Sequence, residues 1–270
     1  MTSVVAIIGL CLPLMSVALD IQTPWIQGGL ILGKTDPSNI VTFLGREVRL
    51  NEHGEFVAGL GRDAKPTVTL IETTNSGEIR KHEFDVKQRT YNEQSITGVP
   101  NNTVNIPESA LTRIRKEVRA TKAARKVDSN RQDFLQTFIW PSKGIITGIY
   151  GSRRIYNGVP KRPHYGIDIA APQGSPVIAP AAGVITLVHD NMYFSGGTII
   201  MDHGHGLSST FIHLHKSHVE VGDVVKQGQL IAEIGSTGRS TGPHLDWRMN
   251  WFDQRLDPQL LMSDKPKSFP

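Results

Sequence analysis

Cysteine is almost missing from this chain: Cys11 is the single one among 270 residues. One thiol cannot close an intramolecular disulfide, so a stable fold must come from a packed core rather than covalent staples. The sequence also lacks any Cys-His signature, which removes the usual grounds for a cysteine nucleophile. No internal repeat and no low-complexity tract occurs, against a solenoid or a disordered array. Charge of either sign is nearly balanced, 29 Lys and Arg against 25 Asp and Glu. No nucleic-acid-binding motif accompanies the small excess, so nucleic acid is not an expected partner.

Residues 1–18 carry no charged side chain. Their apolar run from Val4 to Met15 ends at Ser16, Val17 and Ala18, with small residues at cleavage-type positions, and reads as a secretory signal peptide. No Lys or Arg precedes the run, which keeps an uncleaved anchor as the competing reading. Leu10 stands before Cys11 where a lipoprotein signal needs a small residue, so lipidation is not expected. A mature chain beginning near Leu19 would have no cysteine, which suits a protein of the periplasm or cell envelope.

The remaining roughly 250 residues suffice for two small domains or one large one. Residues 19–106 carry short alternating runs, Thr67 to Ile71 and His82 to Val86, with a turn at Asn75 to Gly77 between them. An immunoglobulin-like β-sandwich is expected there. Residues 107–137 change to helical spacing, with Leu111, Ile114 and Val118 on one side and Pro107 at the first turn. That segment holds eight Lys or Arg against four Asp or Glu, and reads as a basic, solvated linker helix. The alternative is contact with anionic wall polymer or a membrane surface. Residues 138–258 are rich in β-branched runs split by glycine, as in antiparallel sheet, and 259–270 form a tail. The fold class is therefore mainly β.

Chemistry gathers in the third segment. His164 and Asp168 lie four residues apart, and His244 and Asp246 two apart. A catalytic zinc keeps three protein ligands from His and carboxylate and leaves a position for water, so this set suffices with one group left over. Side chains four apart on a straight strand sit roughly 13 Å from each other. His164 and Asp168 therefore need a bend, which Gly166 suggests, with a strand following at Ile167 to Ala170. Residues two apart face the same side of a strand, so His244 and Asp246 can share a cleft. His203 and His205, around Gly204, read as hydrogen-bonded turn histidines.

The wider sequence around these residues resembles the lysostaphin-type (LytM-like) zinc metalloendopeptidases of bacterial cell walls. The resemblance runs from Phe138 to Pro258. It rests on the run from Gly166 to Val177, Ala181 to Ile185, Asp202 to Gly204, Phe211 to Leu214, Val221 to Gln229 and Gly235 to His244. It implies an antiparallel β core whose groove holds one Zn²⁺ per chain, walled by loops 151–163 and 190–197. His164 and Asp168 match two zinc ligands, and His213 and His244 match two catalytic histidines. The family's third ligand is a histidine where this chain has Asp246. An Asp oxygen lies as many bonds from Cα as His Nδ1, so Asp246 can serve as that ligand; otherwise it only orients His244. The family's Tyr ahead of the His213 position is Phe211 here.

The implied activity is hydrolysis of peptide crosslinks in peptidoglycan, with stem peptides as substrate. The alternative is a catalytically degenerate wall-binding regulator or amidase activator on the same fold. A segment ahead of Phe138 is expected to lie across the groove and limit access.

Overall fold

The computed structural model describes residues 18–99 and 106–262. The expectations for residues 1–17 and 263–270 lie outside the described residues.

The chain opens with β1 (Asp20–Ile21), β2 (Leu30–Lys34), β3 (Ile40–Phe43), β4 (Arg46–Val48), β5 (Glu55–Gly59), β6 (Thr67–Thr73) and β7 (Ile79–Asp85). In β6, Val68, Leu70 and Glu72 turn inward while Thr69 and Ile71 between them are more exposed, the period-2 pattern read in the sequence. β7 follows through a turn in which Gly77 adopts φ +85°. Two antiparallel sheets result, ordered β1-β2-β5 and β4-β3-β6-β7. They enclose Ile31, Val41, Phe43, Phe56 and Leu70, all fully buried. This is the expected sandwich, with the fourth strand on the four-stranded sheet rather than in the ABED position of an immunoglobulin constant domain. Buried Glu72 accepts hydrogen bonds from Thr35, Asn39 and His82, which satisfy its carboxylate inside the sandwich.

After β8 (Glu93–Ile96) comes helix α1 (Leu111–Arg125). The helix sits where the spacing predicts it, but its inward stripe differs. Val118 is 44% exposed, and the packed positions are Leu111 and Ile114, as expected, with Glu117, Thr121 and Ala124. Ala124 meets Leu187, Met192 and Ile200, so α1 is docked rather than solvated. The stripe is hard to see because two polar residues sit in it. Glu117 accepts the Tyr193 backbone N–H and pairs with Arg113.

Most of the rest is one ten-stranded sheet. Its strands are β9 (Ile145–Gly148), β12 (Ile167–Ala170), β13 (Pro176–Ile178), β14 (Gly183–Met192), β15 (Gly196–Gly204), β16 (Leu207–Ser217), β17 (Val224–Val225), β18 (Leu230–Ile234), β19 (His244–Trp251) and β20 (Gln254–Leu256). The main path is β17-β14-β15-β16-β19-β12-β9, with antiparallel pairing throughout. Alternation divides its two faces. Ile167, Ile169, Phe211, Leu245, Trp247 and Met249 are fully buried in a core continuous with the sandwich, where Phe43 lies 6.2 Å from Trp251. Asp168, Thr210, Asp246 and Arg248 alternate with them and face the other side.

Residues 151–163 differ from the expected loop. They form a hairpin, β10 (Arg153–Tyr156) and β11 (Val159–Pro160), and β10 pairs in parallel with β8. A strand from far upstream completes this wall, a pairing no local pattern announces.

Candidate metal centre

Asp168 on β12 and Asp246 on β19 are direct cross-strand partners, and Asp246 is also opposite Ile212 of β16. His164 precedes β12, held by its N–H to Ser152 O at 2.8 Å and by Gly151 N–H to its own carbonyl at 2.7 Å. Between them Gly166 makes the bend. A Cβ there would lie 2.7 Å from Trp247 O and closer still to Asp246 Oδ1, so only glycine lets the chain pass. His164 Nε2 comes within 3.1 Å of Asp168 Oδ1, and His164 Nδ1 within 3.9 Å of Asp246 Oδ2. One donor atom from each residue falls within 4.8 Å of the others, and all three residues are buried.

His213 and His244 stand beside this group with ring centroids 4.7 Å apart. His244 Nε2 is 3.9 Å from Asp168 Oδ1. His213 would face the core if β16 were regular, because Ile212 pairs with Asp246. A bulge against β15 between Gly197 and Ile199 inserts a residue, and His213 takes φ +65°. That irregularity turns its ring into the groove. Each ring nitrogen Nδ1 meets a backbone carbonyl at 2.8 Å, Thr237 O for His213 and Gly242 O for His244. The carbonyls fix Nδ1 as the protonated atom, which leaves each neutral Nε2 with a lone pair toward the site.

Two arginines that the sequence reading did not single out complete the centre. Arg154, on β10, donates to Asp168 Oδ2 and to Tyr156. Arg248 forks onto Asp246, with Nε to Oδ1 at 2.9 Å and Nη2 to Oδ2 at 2.5 Å. The second was available from spacing, since residues 246 and 248 share a strand face. The first depends on the β10–β12 neighbourhood and left no sequence signal.

Electrostatics follow from burial and these partners. Burial opposes ionisation of Asp168, but His164 and Arg154 outweigh it and hold the carboxyl well below the usual range. For Asp246, burial is likewise outweighed by Arg248 and His164, and the carboxyl falls to about 2. Burial, reinforced by the neighbouring His244, lowers His213 to about 4. His203 and His205 lie outside this centre. His203 is fully buried within β15, where its ring meets Ala182 O and Ser209, so only His205 lies in the turn, packed on Phe134.

The donor set suits a metal ion. His164 Nε2 and Asp168 Oδ1 are buried, face each other and have no hydrogen-bond partner. Such orphaned atoms are costly unless something else satisfies them. Each Asp246 oxygen receives Arg248 but keeps a further lone pair, so the fork orients the carboxylate without exhausting it. One imidazole and two carboxylates fit zinc or a harder divalent ion. Among the described residues before Phe138, none hydrogen-bonds to these five side chains. Instead β8 and α1 build the groove's walls.

The profile of peptidase family M23 matches residues 162–258. An "Uncharacterized metalloprotease" of Haemophilus influenzae is 40% identical over 97 residues, 36% of this chain and 20% of its own length. The peptidoglycan DD-endopeptidase ShyA of Vibrio cholerae is 36% identical over 124 residues, 45% of this chain and 28% of its own. The chain thus spans about a quarter of the curated relatives it matches. A crystal structure from Pseudomonas aeruginosa, described as a candidate peptidase M23, aligns with 89% of this chain and 95% of its own at TM-score 0.69 and 28% identity. That alignment extends the likeness from the catalytic segment to the sandwich and helix.

Proposed function

The chain belongs to peptidase family M23 through residues 162–258, and we accordingly propose that it is an exported zinc endopeptidase of the cell envelope that cuts peptide crosslinks in peptidoglycan. The observation that carries this reading is the orphaned pair His164 Nε2 and Asp168 Oδ1, within a three-residue donor group and flanked by two imidazoles with open Nε2 atoms. His164, Asp168 and Asp246 would hold the ion. Bound Zn²⁺ would polarise the scissile carbonyl and acidify a water molecule.

The chain's own groups do the rest. His213 is neutral at pH 7 because burial depresses its pKa, and its Nε2 can accept a proton. His244 has the same tautomer and lies nearer Asp168, so the two rings can pass a proton from the attacking water toward the departing amine. Arg154 and Arg248 keep the two carboxylates ionised and oriented. The sheet beneath is packed with apolar side chains and holds all of these groups on rigid strands.

Intact crosslinked sacculi incubated with the protein should release cleaved muropeptides, chelator should abolish release, and added Zn²⁺ should restore it. Cleavage that persists in chelator would refute the metal mechanism. A second reading, a degenerate wall-binding regulator, draws support from the Arg248 fork, which competes with any ion for Asp246. Metal content separates the two: about one zinc per chain supports the enzyme, and sub-stoichiometric zinc supports the regulator.

A further inference from the structure

Helix α1 is docked by one face and carries a row of like charge on the other. Ile114, Glu117, Thr121 and Ala124 are turned inward. At about 100° per residue, Arg115, Arg119, Lys122 and Lys126 fall within an arc of about 60° on the opposite side, and the row runs about 16 Å along the axis. All four are exposed, as is Lys116 beside them. Residues 106–126 contain two acids, Glu108 and Glu117. Glu117 pairs with Arg113, and Glu108 lies in the turn before the helix. The next acids along the chain, Asp128 and Asp133, pair with Arg49 and Arg131. None of the five exposed cations forms an ion pair with a described residue.

Such a row is unfavourable for the helix that bears it. Arg115 and Arg119 are four residues apart, Arg119 and Lys122 three, and Lys122 and Lys126 four, so each repels its neighbour. The helix dipole favours cations in the last turn, which accounts for Lys122 and Lys126 but not for Arg115 and Arg119. The row also lies on the side of the sheet that carries the metal centre. Ala124 packs on Ile200. Ile200 is the cross-strand partner of Thr210, and Thr210 of Arg248, which shares a strand face with Asp246. Arg113 donates to Asn191 O, and Glu117 accepts the Tyr193 N–H, which seats α1 against the groove wall 190–197. A polymer mesh engaged by the groove on this side therefore also meets the outer face of α1.

We propose that the outer face of α1, through Arg115, Lys116, Arg119, Lys122 and Lys126, is an electrostatic docking surface for the carboxylate-bearing peptidoglycan mesh. The identity of the partner rests on the proposed endopeptidase activity; the cationic surface itself does not. Charge complementarity selects an anion-rich partner and speeds its encounter with the groove, and stem peptides carry free carboxylates. The cations stand on a convex ridge, which suits a broad mesh with many anions better than a single strand that must be held in a channel. Val118 is the one large apolar side chain exposed on the helix, so the ridge lacks the apolar face by which a helix enters a lipid interface.

Docking can be measured apart from hydrolysis. Chelator-treated full-length protein is sedimented with purified sacculi, with sacculi whose carboxylates have been converted to amides, and with phosphatidylglycerol vesicles. Native sacculi should bind at least tenfold more tightly than amidated ones. Raising salt from about 0.1 M to about 1 M, which shortens the screening length from about 10 Å to about 3 Å, should release the protein. A cation near an anionic surface contributes about fivefold in affinity, so Arg115→Gln with Arg119→Gln should weaken binding at least tenfold, and lysine at both positions should restore it. Glutamine is a good helix former, so α1 is kept. Lys81→Gln with Lys87→Gln removes the same charge from exposed positions of the sandwich and should change binding less than about twofold. Equal binding to native and amidated sacculi, equal losses in the two double glutamine variants, or a preference for vesicles over native sacculi that the α1 variant abolishes would each overturn the proposal. If sacculi bind as expected but stay uncut once Zn²⁺ is restored, the endopeptidase reading fails and the docking surface stands.

Discussion

Replacing Asp246 by alanine separates two roles that the structure superimposes on one carboxylate. As a ligand, Asp246 supplies one of three donors, and its loss should weaken metal binding by at least an order of magnitude. As the partner of Arg248, it neutralises a guanidinium whose side chain is 25% exposed while Asp246 itself is 2% exposed. Removing one member of a buried pair costs about 3 to 5 kcal/mol, and the partial exposure of Arg248 favours the lower end, about 3 kcal/mol. Asp246→Ala should therefore lose both metal and stability. Asp246→Ala with Arg248→Met removes the stranded charge but keeps an apolar stem, so stability should return to within about 1 kcal/mol of wild type while metal affinity stays low. Urea unfolding in chelator measures the first quantity, and competition against a chromogenic zinc chelator measures the second. Stoichiometric zinc in either variant would refute the ligand assignment and pass the third position to His244, leaving His213 as the sole imidazole for proton transfer. Asp246→His should keep metal, because an imidazole can supply the donor, yet it strands Arg248 and should be less stable than wild type.

Acid should weaken the fold through His203. Its folded pKa, depressed from 6.5 to about 4 by burial, means that the unfolded chain binds the extra proton, so the contribution is whole above pH 6.5 and is lost as pH falls toward 4. By pH 5 about 2 kcal/mol should be gone, and the stability gap between wild type and His203→Gln, measured by urea unfolding, should shrink by that amount from pH 7.5; an unchanged gap would contradict the assignment. Deleting residues 19–137 should destabilise the remainder rather than release its activity, because the sandwich covers Trp251 and Leu256, and α1 covers Leu187, Met192 and Ile200. A lower melting temperature and binding of a hydrophobic dye are expected; a fragment that melts like the full chain and cuts sacculi faster would show instead that the amino-terminal part restrains access.

What local chemistry dictates was readable in the chain. Alternation along Val68 to Glu72 gives a strand with one buried face, Gly166 permits the bend that lets His164 turn back on Asp168, and the spacing of His244 and Asp246 puts both on one side of β19. These follow from backbone geometry within a few residues, and so does the existence of a helix after Pro107. The partners of those residues could not be read the same way. Whether Arg154 reaches Asp168 depends on β10 lying beside the bend, which in turn depends on β8 pairing from upstream. His213 enters the groove only because a bulge opposite Gly197 reverses its facing, and a strict period of 2 would have sent it into the core. Helix α1 docks through a stripe that contains Glu117 and Thr121, so hydrophobic spacing alone pointed to Val118 instead. Periodicity is local and specifies which side of an element is buried; register, bulges and helix docking are set by packing between distant segments, and these decided which charges surround the candidate metal centre.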